Sequence, residues 1–251
     1  MQSPIRLTES SYAWSRLFAS LFISTVGSAG MYLVVIILPE IQADFAVSRG
    51  AASFSYTMVM LGFGLGGILF GRLVDLHGIL KPLIISVLAL ATSFVVTGMA
   101  RTISMLYLMH FMIGFFGCSV VFAPLVSDIS KWFNKRRGFA VSICACGNFL
   151  AGVIWPPLFV IALSSVGWRA GYVYAGILSL LMMLPVLFFL RLPSPQSTGS
   201  ESSKGSVGDA ETFGMSSNQF TGVLCVAGLA CCIAMAMPTV HIVALCSDRG
   251  F

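Results

Sequence analysis

The charged residues of this chain are few and fall in clusters: Lys, Arg, Asp and Glu together make up 9% of it. One cluster is Arg72, Asp75, His77 and Lys81, with Gly71 and Gly78 around it. A second is Asp128, Lys131, Lys135, Arg136 and Arg137. Single polar residues stand inside long apolar runs: Tyr32, His110, Asn148, Trp155 and His241. Clustered acids and bases can form ion pairs that make and break between conformations. A histidine in apolar surroundings can take up a proton near neutral pH or hold a carboxylate, or it can bond across helices as a neutral ring. None of these sets forms a nucleophile with its base or the clustered acids that an enzyme would need. Cys144-Ala-Cys146 and the adjacent Cys231 and Cys232 lack zinc-ligand spacing and a histidine cluster. They read as small packing residues, and neither a metal nor a cofactor is expected.

The elements that must position these residues are the apolar runs between them. The chain is 57% hydrophobic with a mean hydropathy of +0.95, whereas soluble domains carry about 25% charged residues. The reading is an all-α, polytopic membrane protein. Runs near 17–38, 51–70, 82–100, 103–126, 138–163 and 170–189 are each about 20 residues or more, enough for a helix to cross ~30 Å of hydrocarbon. The first run is too long for a cleaved signal core and reads as a helix that stays. A charge at the bilayer centre costs about 2.5–3.5 kcal/mol, so the clusters belong at the membrane faces. The stretch 71–81 therefore reads as a polar turn between two antiparallel spans. The glycines before it, Gly62, Gly64, Gly66 and Gly67, suit close helix packing rather than a phosphate loop.

Residues 1–191 form the expected six-helix bundle. Residues 192–219, rich in Ser and Gly, read as a flexible cytoplasmic linker, and 220–251 as a seventh span. With the N-terminus inside, ten of the 14 Lys and Arg lie on the cytoplasmic side, against Arg49, Arg101, Arg169 and Arg249 on the other. The expected location is a bacterial inner membrane with a cytoplasmic N-terminus. The net charge of +5 lies in loops, not on one face, so no nucleic acid is expected as a partner.

Gly71, Leu73, Asp75 and Gly78 match motif A of the major facilitator superfamily, which the stretch resembles. Ile79 stands where that family places an arginine, so Arg72 or Lys81 is the implied basic partner of Asp75. Six helices, a linker and a seventh helix resemble the first bundle of that fold plus the first helix of the second. The resemblance implies a piece of a twelve-helix carrier whose C-terminal bundle is missing. Residues 130–140, with Trp132-Phe133 and the basic run, resemble the helix 4–5 loop of the monocarboxylate transporter family and its bacterial relatives. Gly147, Gly152, Pro156-Pro157, Gly167-Trp168-Arg169 and His241 fit that likeness. Leu106, His110 and Gly114 resemble motif B of proton antiporters, with His in place of Arg.

The implied function is secondary active transport of a small organic anion, a monocarboxylate, by alternating access, with protons as the candidate coupling ion. Motif A residues Gly71, Arg72, Asp75, Gly78 and Lys81 would gate. The cluster Asp128–Arg137 would join them in a charge network if helices 2 and 4 end close together. Tyr32, His110, Asn148, Trp155 and His241 would face the solute or proton cavity. Drug or metabolite efflux is the alternative of the same class, and a non-transporting membrane sensor or assembly protein that of another.

Overall fold

Serine and threonine side chains open three of the helices. Ser10 Oγ accepts the Ala13 N–H, Ser48 Oγ that of Ala51 and Thr102 Oγ1 that of Met105, each at 3.3 Å. Each cap satisfies an N–H group that a first turn leaves without a partner. The computed structural model describes residues 9–192 and the isolated positions 216, 219, 222, 223, 226, 227, 230 and 234. The chain divides into two units, Met1–Pro195 and Gln196–Phe251. Most of the second unit, including His241 and nearly all of the expected linker and seventh span, lies outside the described residues.

Among the described residues every regular element is helical. They are α1 (Ser11–Gly27), α2 (Ala29–Ile36), α3 (Leu38–Phe45), α4 (Arg49–His77), α5 (Leu80–Gly98), α6 (Ile103–Met112), a π-helical turn Ile113–Cys118, α7 (Ser119–Val121), α8 (Ala123–Ser130), α9 (Arg137–Val186) and a 3-10 turn Leu187–Leu190. Helices long and apolar enough to cross a membrane cover Ser11–Ile36, Arg49–His77, Leu80–Gly98, Ile103–Ser130 and Arg137–Leu190. The last has 54 residues, about 80 Å if straight, far more than a bilayer needs. It is two spans. Gly167 has φ 79 and ψ 165, which no helix accommodates and which only glycine adopts freely. The chain folds back there, so that a Cβ on Gly171 would touch the Phe159 ring at 3.1 Å. Six spans result, as the apolar runs predict.

Three local expectations are corrected. Residues 71–81 are not all turn: α4 runs on through Arg72 and Asp75 to His77. Only Gly78, φ 74, and Ile79 separate it from α5, and the Gly78 N–H still reaches the Val74 carbonyl at 2.9 Å. Pro39 does not end the first helical segment. It sits in the first turn of α3, where its missing N–H is no loss and its fixed φ suits a helix start. Pro124 opens α8 in the same way after a break at Phe122, so Asp128 lies within the fourth span rather than beyond it.

Helix α4 packs against α6 and the π turn without side chains between them. A Cβ on Gly114 would overlap the Val59 carbonyl oxygen, and one on Gly62 the Phe111 carbonyl oxygen. Small residues allow this approach in lipid. Around it, Phe70 meets Phe115 and Phe116 edge to face at 5.7 and 5.8 Å. The apolar window of the first span is 67% buried and that of α4 only 22%, so the first span is central and α4 peripheral. We expect Gly114→Val to destabilise the purified protein by about 1–3 kcal/mol through overpacking. Gly67→Ala, with open space around it, should leave the melting temperature in detergent unchanged. Equal melting temperatures for both variants would show that the contact does not hold the bundle.

Candidate functional site

Two buried polar constellations sit in the bundle, one at the end where the first span begins and one inside it. At the end, Arg16 Nε donates to Asp128 Oδ2 at 2.8 Å, and the two side chains are 0% and 5% exposed. Arg16 projects from α1 into the junction of three other helix ends. Its Nη1 donates to the Leu192 carbonyl at 2.8 Å and to Tyr12 Oη at 3.4 Å. Its guanidinium lies 4.7 Å from the centre of the Trp132 ring, a cation–π contact. The Tyr12 hydroxyl donates to the Phe189 carbonyl at 2.6 Å. Glu9 Oε1 accepts the backbone N–H groups of Lys135 and Arg136 at 2.7 and 3.1 Å, just before the fifth span begins. Residues 9–16 thus bind the end of the fourth span, the start of the fifth and the end of the sixth.

The expected network of Arg72, Asp75, Asp128 and Arg136 takes another form here. Asp128 pairs with Arg16, and no hydrogen bond or ion pair among the described residues joins it to Arg72, Asp75 or Arg136. Arg72, Asp75, Gly78 and Lys81 are exposed and Gly71 half-buried at the α4–α5 junction. Lys131, Lys135, Arg136 and Arg137 are exposed around the buried pair.

Inside the bundle, His110 is fully buried. Its Nδ1 lies 2.8 Å from the Leu106 carbonyl and its Nε2 3.2 Å from Tyr172 Oη. A carbonyl only accepts, so Nδ1 carries the proton, Nε2 accepts and the Tyr172 hydroxyl donates. This joins the fourth span to the sixth, and Phe94 and Phe159 close over Tyr172 at 5.8 and 5.6 Å. Tyr32, Asn148 and Trp155 meet where the first and fifth spans touch. The Tyr32 hydroxyl donates to the Asn148 carbonyl at 3.0 Å, and Trp155 Nε1 to the Thr25 carbonyl at 2.9 Å. The side-chain amide of Asn148, half-buried, makes no hydrogen bond to a described residue. His241 lies outside the described residues.

At the opposite end, Asp44 Oδ2 accepts from Trp168 Nε1 at 2.8 Å and faces Arg169 Nη2 at 3.5 Å. Arg169 also bonds the Ala100 carbonyl and stacks 4.5 Å from the Trp168 ring. Glu9, Arg16, Asp44 and Tyr172 had no place among the sequence-predicted site residues. Arg16 and Asp128 stand just outside the apolar runs read from the sequence, and only the helix lengths in the structure bring them inside spans.

Removing one member of a buried hydrogen-bonded pair leaves the other unsatisfied, at about 1–3 kcal/mol. Tyr172→Phe should therefore lower the unfolding free energy in detergent by that much. Combining it with His110→Leu should restore most of the loss, because two apolar partners leave nothing unpaired. A double variant weaker than either single would refute the pairing.

The model of the Major Facilitator Superfamily matches residues 18–251. Among curated relatives, MFS-type transporter pytF of Aspergillus terreus is 29% identical over 54% of this chain and 46% of its own. Monocarboxylate transporter 4 of Rattus norvegicus is 24% identical over 80% of this chain and 43% of its own. The oxalate:formate antiporter of Oxalobacter formigenes is 23% identical over 73% and 44%. The chain thus spans less than half the length of these relatives. Among solved structures, a bacterial homologue of the human lysosomal transporter Spinster, crystallised inward-facing, superposes with a TM-score of 0.62 at 19% identity. That match covers 82% of this chain and 51% of the other. With six spans in the described unit and a family match over nearly its whole length, the chain is a multi-pass membrane protein that belongs to the major facilitator superfamily, a family of transporters rather than enzymes.

Proposed function

We propose that this chain works in secondary active transport of a small organic anion, a monocarboxylate being the first candidate, by alternating access. One observation carries the solute class. The oxalate:formate antiporter and monocarboxylate transporter 4 align over 73% and 80% of the chain, and the probable sulfoacetate transporter SauU of Cupriavidus necator over 61%. All three are named for small organic anions. The fungal relatives named for biosynthesis clusters align over 50%.

The chemistry proposed for the chain's own residues follows from the site. His110 is an ionisable group buried deep in a span, with one ring nitrogen on the Leu106 carbonyl and the other on the Tyr172 hydroxyl. Protonation on Nε2 would make that nitrogen a donor, and the Tyr172 hydroxyl would have to turn and accept. Proton uptake would then be felt at the contact between the fourth and sixth spans, which suits symport. The Asn148 amide, unpartnered among the described residues, is the candidate hydrogen-bond donor to a solute at the first and fifth spans, with Tyr32 and Trp155 positioning it. His241 is a second candidate proton or solute site. Asp75 and Arg72, exposed and unpaired among the described residues, suit a gating contact with the second bundle that the relatives' greater length implies. The proposed orientation has the N-terminus in the cytoplasm. Relatives from fungi, bacteria and a mammal give no preference for a bacterial inner membrane over another plasma membrane.

A second reading has its own observation: the fungal cluster transporters reach 29% and 30% identity, which favours export of a metabolite. Uptake of labelled formate, oxalate and lactate by the native gene product in vesicles separates the two. Saturable uptake of one of them is expected, stimulated by an inward proton gradient, with the stimulation lost in His110→Gln. Asp75→Asn should slow transport and shift labelling of cysteines between the two faces. No uptake of any carboxylate, together with metabolite sensitivity on gene deletion, would replace this reading with export.

A further inference from the structure

The four exposed cations around the buried pair are open, among the described residues, to a partner outside the bundle. Lys131, Lys135, Arg136 and Arg137 fall in the segment between the spans that end at Ser130 and begin at Arg137. Two carboxylates stand close by, and both are already occupied. Asp128 is buried on Arg16, and Glu9 accepts two backbone N–H groups. Among the described residues, no side chain of the four has an ion pair or hydrogen bond. The patch is bordered by aromatic surface. The Trp14 ring packs edge-on against Phe133 at 5.3 Å and Phe139 at 6.5 Å, and Phe139 is 59% exposed. Phe18, about one turn further along α1, is 57% exposed.

We propose that this corner is a docking site for an anionic phospholipid. The phosphate and headgroup charge would lie on the Lys131–Arg137 cations, and the upper acyl chain would lie along Trp14, Phe139 and Phe18. Unpaired cations near the surface of an anionic leaflet are attracted to it, and a tryptophan at headgroup level is favoured there. A free anion would need the cations alone. The aromatic border, continuous with the membrane-crossing surface, is what selects a lipid.

Tryptophan quenching tests this on the full gene product reconstituted in vesicles. Trp132, Trp155 and Trp168 are buried, whereas Trp14 is partly exposed, so Trp14 reports the corner. Brominated phosphatidylglycerol in phosphatidylcholine is compared with brominated phosphatidylcholine at the same mole fraction. The expected result is at least about twofold stronger quenching by the brominated anionic lipid. The excess should vanish in Trp14→Phe and in the combined Lys131→Gln, Lys135→Gln, Arg136→Gln, Arg137→Gln variant. It should persist in Lys131→Arg with Lys135→Arg, which keeps the charge. Equal quenching by both lipids in the native protein would overturn the proposal, as would an excess that survives the loss of all four cations. Abolition of the excess by inorganic phosphate, but not by sodium chloride of equal ionic strength, would assign the site to a free anion instead.

Discussion

The bundle depends on one buried ion pair. Arg16 and Asp128 lie in segments apolar enough to cross the membrane, with almost no exposure, 2.8 Å apart. Taking either charge out of water alone costs several kcal/mol, so each needs the other to be where it is. The need is a constraint on helices as much as on side chains. It fixes the depth and rotation of the first span against the end of the fourth. The rest of the corner follows from that placement. With Arg16 set, its second nitrogen reaches the carbonyl at Leu192, Tyr12 reaches Phe189, and Glu9 reaches the backbone N–H groups just before the fifth span. One polar turn of α1 and the two residues before it hold three other helix ends.

The two ends of the bundle are tied unequally. Asp44 and Arg169 at the opposite face are 40% and 42% exposed and stand 3.5 Å apart, so water screens them and their attraction is modest. The better bond there is from Trp168 to Asp44 at 2.8 Å. Both ties involve residues 9–45, so the first helical segment reaches from one anchor to the other. Between them the contacts are glycine approaches and neutral hydrogen bonds, of which His110 with Tyr172 is the buried one that can change protonation.

The sequence shows the spans because hydrophobic length is a local property. Among the described residues each apolar run forms a helix long enough to cross a membrane, and Gly78 and Gly167 mark the points where only glycine turns the chain cheaply. It shows the motif residues but not their surroundings. The polar character of 71–77 suggested a turn, yet polar residues continue a helix well once it leaves the apolar layer, and α4 does so. Pro39 and Pro124 each sit in a first turn, where proline costs a helix nothing. Partner choice was the least legible. Arg16 and Asp128 are 112 residues apart, and the chain offers several basic residues closer to Asp128. Only the packing of helices decides that Lys131 and Arg136 face outward while Arg16 faces in. Tyr172 escaped notice for the same reason: one tyrosine in an apolar run carries no sign that a histidine 62 residues earlier will meet it.

A double-mutant cycle on the native gene product tests the central claim most directly. Arg16→Met, Asp128→Leu and the double variant are unfolded in detergent with denaturant, and their free energies compared. If the pair governs the corner, each single variant loses about 3–5 kcal/mol through the charge left buried, and the double loses far less than the sum. Single losses near zero, or a double loss equal to their sum, would mean that the pair does not hold these helices.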